Sequence, residues 1–449
     1  MSKAIPNAPI LDAVNAYLAR NPARFHMPGH GGNASALPLF AGALPYDLTE
    51  LPGLDSLYDA AGCIAASERF AAEVFGAKAT LYSAGGSTLA IQTMLALVSP
   101  GGGSVIFARN LHRAALAACI LLDLDPVFLP LCENGAAEPE SVGRALRAYP
   151  DARAVCITSP DYLGRLCDIG GIAKICGGHG VPLLVDAAHG AHLRFVSPAL
   201  DPLALGASLC ANSAHKTLPA LTPGAFLHIG DARFIPDAKR KMALFGSTSP
   251  SYPVLLSLEQ CCAWLSDSGE TAFAALREKT ARLREDARAL GLDPLERDCD
   301  PVRLTLDTAK SGTSGRRTGE ILRSRGISCE YADGRYAVFI LTPFHTDADL
   351  ARLRAGLEAV AGARGEERSP GPGASMADFA PPALSMRVRD AYFAESVTVP
   401  AANSAGKIAA EAACPCPPGV PIVVPGEKIS EKAAFLLKGY GISQIKVVK

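Results

Sequence analysis

The sequence predicts an α/β protein built on a mainly parallel sheet. Short apolar segments bounded by turn residues alternate with segments whose apolar residues have helical spacing. One of these apolar segments, Pro182-Leu-Leu-Val-Asp186, ends in a carboxylate. Strands that alternate with helices form βαβ units, and such units place ligands at the carboxyl ends of their strands.

The elements of this fold can be assigned in chain order. The predicted strands of the sheet are Ser104–Ala108, Pro126–Leu131, Ala154–Thr158, Pro182–Asp186 and Ala225–Ile229. Helices are predicted over Ser67–Phe75, Thr88–Leu97, Glu140–Ala148 and Ile169–Cys176. After the long charged helix Glu270–Leu290, a smaller α/β domain is predicted from Val302–Leu306, a helix near Thr318–Arg325, Tyr336–Leu341 and the helix Asp347–Ala361.

A change of composition separates the last part of the chain from the rest. Gly362–Ser385 is dense in glycine, proline, alanine and charge, which is typical of a flexible linker. The predicted organisation is an N-terminal arm over residues 1–45, a large domain over 46–290, a small α/β domain over 291–362, a linker over 363–384 and a C-terminal domain over 385–449.

Composition and charge exclude several classes of protein. With 49% hydrophobic and 19% charged residues among 449, the chain can build large cores and is not globally disordered. The 43 Lys and Arg against 44 Asp and Glu leave a net charge of −1, so no nucleic-acid partner is predicted. The most apolar stretch, Ala114–Leu131, is interrupted by Asp123 and Asp125, and no membrane segment is predicted.

The N-terminus and the cysteines indicate a cytoplasmic protein. The N-terminus has neither the apolar core nor the cleavage site of a signal peptide. The 13 cysteines are scattered without the spacing of a disulfide framework or a zinc site, so we expect reduced thiols and no metal.

Three features carry chemistry when they are taken together. The strand that ends in Asp186 brings a carboxylate to a sheet edge, where we expect a cationic partner. Ser213-Ala-His-Lys216-Thr places a lysine between an imidazole and a hydroxyl, which is typical of an amine nucleophile. The turn Gly85-Gly-Ser-Thr88 opens a helix whose N–H groups and hydroxyls suit a phosphate. The combination indicates a pyridoxal-phosphate (PLP) site.

Each feature also has a structural explanation when it is taken singly. Lysine is mostly a surface residue, and Asp186 alone is equally well explained as a helix cap or a turn residue. Glycine-rich helix starts often bind nothing, and His189 or His192 alone is more often a hydrogen-bonded core histidine. The interpretation therefore depends on all three features occurring in this chain order on an α/β frame.

Over nearly its whole length the sequence resembles the Orn/Lys/Arg decarboxylases of PLP fold type I, in the short bacterial form without an N-terminal wing domain. Ser213-Ala-His-Lys216-Thr-Leu-Pro-Ala-Leu-Thr222 is the most specific of the motifs that carry this resemblance. The others are Arg24-Phe-His-Met-Pro-Gly-His30, Asp47-Leu-Thr-Glu-Leu-Pro-Gly-Leu-Asp55, Ser247-Thr-Ser-Pro-Ser-Tyr252, Pro417-Pro-Gly-Val-Pro421 and Val424-Pro-Gly-Glu427.

The resemblance implies a role for each site residue. Lys216 would form the aldimine with PLP, and Asp186 would pair with the ring nitrogen and keep it protonated. His112 would stack on the ring, and His189 would lie near its phenolic oxygen. The residues that would hold the phosphate are Gly86, Ser87, Thr88, Ser213 and His215.

The resemblance also implies the reaction and the assembly. The substrate amine would displace Lys216, loss of CO₂ would leave a carbanion delocalised into the ring, and Lys216 or His215 would reprotonate Cα. The fold is expected to be aspartate-aminotransferase-like, with a seven-stranded sheet in the large domain, a small α/β domain and a C-terminal appendage. At least a homodimer is expected, with the active site at the subunit interface.

The motifs depart from the family pattern at positions on the substrate side. The departures are Gly31 for a lysine, Ala187 for an acidic residue, Asp59-Ala60 for a His-Pro pair, Asp161-Tyr162-Leu163-Gly164 after Pro160, and Cys416 for an aromatic residue. The carboxylates that could receive the distal cation of a basic substrate are Asp47, Glu50, Asp55, Asp161, Glu330 and Glu395. The substrate therefore stays open among arginine, lysine, ornithine and their analogues.

Two alternatives to a decarboxylase remain at this point. One is an aminotransferase or C–C lyase with the same cofactor on the same fold. The other is a homologue that has lost catalysis and serves as a regulatory partner, which the substrate-side departures suggest and the presence of Lys216 and Asp186 argues against.

Overall fold

The computed structural model describes residues 7–132, 135–308, 311–363, 384–415 and 420–449. Its helices are α1 (Pro9–Ala19), α2 (Cys63–Phe75), α3 (Gly86–Val98), α4 (Arg113–Leu122), α5 (Pro139–Ala148), α6 (Ile169–Gly178), α7 (Leu193–Val196), α8 (Ala214–Thr217), α9 (Ile235–Ala243), α10 (Tyr252–Trp264), α11 (Glu270–Ala289), α12 (Gly315–Ser324), α13 (Asp347–Gly362), α14 (Val388–Phe393) and α15 (Glu431–Gly439). Its strands are β1 (Ala79–Ser83), β2 (Gly103–Ala108), β3 (Leu124–Leu129), β4 (Ala154–Thr158), β5 (Leu183–Asp186), β6 (Leu209–Asn212), β7 (Ala225–Ile229), β8 (Arg303–Asp307), β9 (Tyr331–Ala332), β10 (Tyr336–Ile340), β11 (Ser396–Pro400) and β12 (Gln444–Val448).

Seven strands form a mixed sheet in the order β1-β7-β6-β5-β4-β2-β3. Strand β2 runs parallel to β3 and β4, and β5 runs parallel to β6. Strand β7 is antiparallel to both of its neighbours, β1 and β6. The predicted α/β class with a mainly parallel seven-stranded sheet is confirmed, and the antiparallel strand β7 was not foreseen.

The chain divides into two compact units. The first comprises Met1–Val98 and Leu184–Glu270, and the second comprises Ser99–Leu183 and Thr271–Lys449. Each predicted domain is one continuous stretch of sequence, whereas each of these units combines two stretches. The predicted domain boundaries stay a prediction. Most of the predicted linker lies outside the described residues.

Two helices of the first unit begin without a side-chain cap of their own, because Ala8 precedes α1 and Gly62 precedes α2. Carboxylates outside the two helices accept their free N–H groups instead. Glu259 accepts from the N–H of Ile10 at 2.8 Å, and Asp55 accepts from that of Ile64 at 3.0 Å. A carboxylate at a helix N-terminus is also favoured by the helix dipole. These contacts attach both helices to the core.

A buried histidine lies in the core of the first unit. His228 on β7 is 1% exposed, its Nδ1 lies 2.9 Å from the Thr80 hydroxyl, and its ring lies 4.4 Å from that of Phe75. Burial, together with the nearby charge of Arg194, lowers the pKa of His228 to about 3. The folded protein therefore holds His228 neutral at pH values where an unfolded chain would protonate it.

We expect His228 to make the first unit acid-labile. Its folded pKa lies below its unfolded value, so the unfolded chain binds more protons and stability falls as the pH drops from about 6.5 toward 3. The loss is roughly 2 kcal/mol between pH 6.5 and pH 5. Urea unfolding at both pH values checks this. His228→Gln should remove most of the difference, whereas the same change at the exposed His179 should not.

The second unit carries three sheet segments. Strands β2, β3 and β4 belong to the large sheet, β8-β10-β9 form an antiparallel sheet against α12, and β11 pairs with β12 in an antiparallel ladder. Buried aliphatic residues of the last segment, including Leu437 and Val447, form a separate core under α15. The predicted small α/β arrangement after α11 is present, and the C-terminal segment has a core of its own.

One long helical segment runs from α10 through a π-helical turn at Leu265–Gly269 into α11. A Cβ on Gly269 would lie 3.2 Å from the Phe195 ring, so the turn is close-packed. Helix α11 confirms the long charged helix predicted after Gly269. Among the described residues, no helix combines the length and the apolar character needed to cross a membrane.

Candidate active site

The first part of the site is the loop between β1 and α3 in the first unit. The Ser83 hydroxyl donates to the Gly86 carbonyl at 2.8 Å and accepts from the Gly85 N–H at 3.2 Å. Gly86 has a φ of +72°, a conformation that favours glycine. The loop thus leads directly into α3, whose first-turn N–H groups have no carbonyl acceptors within the helix. Such a helix start suits an anion.

The second part of the site is the turn that follows β6. Ser213 stands between this strand and α8, and its hydroxyl donates to the hydroxyl of Ser87 at 2.8 Å. Both side chains are buried. This contact joins the start of α3 to the start of α8, which carries Lys216. The structure therefore brings together two motifs that stand more than a hundred residues apart in the sequence.

The amine of Lys216 lies at the end of β5. Its Nζ is 2.9 Å from Nε2 of His189, which stands in the loop after that strand. A protonated lysine amine can only donate, so His189 accepts through Nε2 while Lys216 carries its charge. The structure thus places the lysine motif beside the segment that follows Asp186.

Asp186 is a buried carboxylate that faces no cation. It is 4% exposed and accepts a hydrogen bond from the Ala188 N–H at 3.1 Å. In the part of the chain that the structure describes, no lysine, arginine or histidine pairs with it. A buried carboxylate without a cation is costly. The site therefore has a place for a positive charge that a ligand would bring.

His215 has its tautomer set by the backbone. Its Nδ1 lies 3.0 Å from the Gly224 carbonyl, which can only accept, so Nδ1 carries the proton. Burial, and then the charge of Lys216, lower the pKa of His215 against the opposing effect of this hydrogen bond. His215 is consequently neutral near pH 7, and its Nε2 is an acceptor.

Thr217 supplies the hydroxyl that follows Lys216 in the sequence motif, and no role in the site was predicted for it. Its hydroxyl is buried and, among the described residues, has no hydrogen-bond partner. It follows Lys216 directly, at the end of α8. A buried hydroxyl in this place is an additional group available to a bound ligand.

His112 lies in the second unit, so its part in the site stays a prediction. It stands at the N-terminus of α4, and its Nδ1 accepts from the Ala114 N–H at 3.2 Å. Because Nδ1 accepts, the proton is on Nε2 in the neutral ring. The hydrogen bond by which His112 caps α4 therefore determines the tautomer of its neutral ring.

The carboxylates considered for the distal cation are mostly engaged elsewhere. Asp55 accepts from five backbone N–H groups, which lower its pKa although burial opposes them. Asp161 binds the Arg165 guanidinium at 2.7 Å. The others contact neighbouring side chains: Asp47 with His30, Glu50 with Thr49, Glu330 with Tyr162 and Glu395 with Lys449. Asp55 and Asp161 therefore serve the local fold.

Comparison with known proteins places the chain among amino-acid decarboxylases. The family model "Orn/Lys/Arg decarboxylase, major domain" matches residues 8–299, and the corresponding C-terminal domain model matches residues 379–440. The chain is 31% identical to an arginine decarboxylase of Halalkalibacterium halodurans over 454 residues, covering 94% of this chain and 91% of that one. It is 30% identical to an arginine decarboxylase of Bacillus subtilis, with the same coverage.

A solved structure supports the fold. The lysine decarboxylase of Francisella novicida superposes with a TM-score of 0.85 at 17% sequence identity. The superposition covers 99% of this chain and 81% of the other. At this identity the likeness concerns the fold, which is the PLP type I fold expected from the sequence motifs.

Proposed function

Because this chain belongs to the Orn/Lys/Arg decarboxylase family and is an amino-acid decarboxylase, we propose that it removes CO₂ from a basic amino acid with PLP as its cofactor. Arginine is the first substrate to consider, since two relatives that match over 94% of this chain, at 31% and 30% identity, are named arginine decarboxylases. The arrangement of Lys216, His189 and Asp186 in one unit supports this proposal.

The residues present fit PLP. The start of α3 and the hydroxyls of Ser87 and Ser213 suit its phosphate, and the buried Asp186 suits its protonated ring nitrogen. When bound, PLP supplies an electron sink for the carbanion that loss of CO₂ creates. Carbonyl chemistry with such a cofactor requires a neutral amine, and the Lys216 amine has an acceptor in His189.

The protein residues would divide the remaining tasks. Asp186 holds a positive charge in a desolvated place, where its electrostatic effect is stronger than in water. Lys216 would be the residue that binds PLP covalently. It would also deliver the proton to Cα, since His215 carries no proton on Nε2 near neutral pH. His112 would contact the ring, as the family resemblance implies.

The proposal includes a homodimer with the active site at the subunit interface. Five large apolar side chains of the N-terminal segment are exposed: Phe25 at 98%, Met27 at 67%, Leu37 at 46%, Leu39 at 88% and Phe40 at 56%. Exposed apolar residues concentrated in one segment are typical of an interface. Sedimentation equilibrium should give at least twice the chain mass of 46.6 kDa, and a monomer would contradict this part of the proposal.

The decisive experiment measures CO₂ and product together. Purified protein with PLP is incubated separately with carboxyl-labelled arginine, lysine and ornithine, and labelled CO₂ and the amine are quantified. We expect equimolar CO₂ and amine from one of them, with arginine tested first. Protein stripped of PLP is the control. A keto acid in place of the amine would favour an aminotransferase, and no reaction despite bound PLP would contradict a basic substrate.

A further inference from the structure

A buried ion pair of the second unit joins the C-terminal segment to the chain just before His112. Arg109 follows β2 directly and is 2% exposed, and Glu427 is 0% exposed. The guanidinium Nη2 donates to Glu427 Oε2 at 3.1 Å. The same guanidinium donates to the carbonyls of Pro421 at 2.9 Å and Ile422 at 3.1 Å. One side chain thus holds three points of the C-terminal segment.

Stability alone does not account for this pair. Two charges are removed from water, and among the described residues Arg109 Nε and Glu427 Oε1 are buried without a partner. Burial raises the pKa of Glu427 against the opposing charge of Arg109. Well-packed apolar side chains in place of such a pair are often neutral or stabilising. What the pair does provide is a defined direction, because a planar guanidinium binds its acceptors in a fixed geometry.

The geometry that Arg109 fixes is that of a short connection. Arg109, Asn110 and Leu111 lead from the end of β2 to His112, which caps α4. The guanidinium also lies over the Phe128 ring of β3, at 5.4 Å from its centre. A contact with the C-terminal segment therefore holds the chain three residues before His112.

The C-terminal segment also holds the other end of α4. Just before and within α14, Arg387 pairs with Asp123 and Asp125 at 3.1 Å and 2.8 Å, and Arg389 donates to the Ile120 carbonyl at 2.6 Å. The C-terminal segment, comprising residues 384–415 and 420–449, thus contacts Arg109, three residues before the cap of α4, and also the C-terminal end of α4.

We propose that Arg109 and Glu427 are positioning residues through which the C-terminal segment orients His112 for PLP. This inference rests on the proposed function. It assigns the C-terminal segment a part in cofactor binding that is separate from its contribution to folding. Glu427 acts through Arg109, and Arg109 acts through the connection to His112.

The test compares cofactor affinity with stability. Glu427→Gln should weaken PLP binding about tenfold and change the visible circular dichroism of bound PLP. The matched control is Arg303→Met, which removes an arginine from an equally buried pair with Asp300 in the same unit. It should lower the melting temperature comparably and leave the PLP dissociation constant within about twofold. An equal loss of PLP affinity in both variants would overturn the inference.

A double-mutant cycle identifies His112 as the intermediary. In a His112→Ala background, Glu427→Gln should change the PLP dissociation constant by less than about twofold, because the group it orients is gone. Additive effects would overturn the inference. If Glu427→Gln does not fold, Arg109→Met combined with Glu427→Leu removes both charges and is expected to fold, and it should show the same PLP phenotype. Wild-type protein that binds no PLP would instead overturn the proposed function.

Discussion

Replacing Lys216 with alanine is expected to abolish both the absorbance band that distinguishes PLP bound to a lysine amine from free PLP and the release of CO₂. The amine at Nζ is the group placed to react with the cofactor, 2.9 Å from the His189 nitrogen that accepts its hydrogen bond. Loss of a covalent nucleophile lowers turnover by at least about 10³-fold. Spectrophotometry after addition of PLP and the labelled-CO₂ assay measure the two effects separately.

The exposed Lys174 provides the matched control for this variant. Lys174→Ala removes the same charge from a helix surface and should keep both absorbance and turnover. The melting temperature of Lys216→Ala should stay close to that of the wild type, because Lys216 is not fully buried. Retained turnover in Lys216→Ala would remove this residue from the mechanism.

Asp186→Asn should lower turnover by about 10²–10³-fold, the range found when one preorganised electrostatic partner is removed. The amide keeps the shape and the Ala188 contact but cannot balance a positive charge in a buried place. PLP should still bind, since the phosphate-binding elements and Lys216 are unchanged. The experiment is steady-state kinetics with PLP-saturated enzyme, together with the pH dependence of the bound cofactor's absorbance.

Asp201→Asn distinguishes an electrostatic effect from a general loss of stability. Asp201 is similarly buried in the same unit, and it pairs with Arg194 at 3.2 Å. Its replacement should destabilise the protein while turnover at a permissive temperature stays near wild type. Equal kinetic losses in both variants would mean that Asp186 acts through the fold and not through the cofactor.

Much of the sheet could be predicted from the sequence, and its gaps have physical causes. β4 and β7 were predicted to the residue, because their apolar runs are bounded by clear turn residues. β1 and β6 were missed, since Ala-Thr-Leu-Tyr-Ser and Leu-Cys-Ala-Asn mix polar with apolar residues although both strands are mostly buried. The polar side chains of β1 find partners inside the core, as Thr80 does with His228, and no local pattern announces such pairing.

The sequence was enough to propose candidate residues for the site, but it could not reveal which of them contact one another. Sequence spacing and the family motifs singled out Lys216, Asp186 and His189; in the structure Lys216 contacts His189, and the roles of all three stay a prediction. The hydrogen bond between Ser213 and Ser87 depends on the tertiary fold, so spacing could not reveal it. The ion pair of Arg109 could have been expected from the sequence. A charged residue directly after the apolar run Val105–Ala108 requires a buried partner, which in the structure is Glu427.

The discontinuity of the first unit has a consequence for how the chain reaches its native state. β1 finds its partner β7 only after roughly 150 further residues, because Thr80 pairs with His228 in the ladder. During synthesis on the ribosome, the backbone groups of β1 would therefore stay without their β7 partners while residues Ser99 to Leu183 are made. Such non-local pairing is slow and prone to aggregation. The yield of folded protein on expression should therefore depend on chaperones and on temperature.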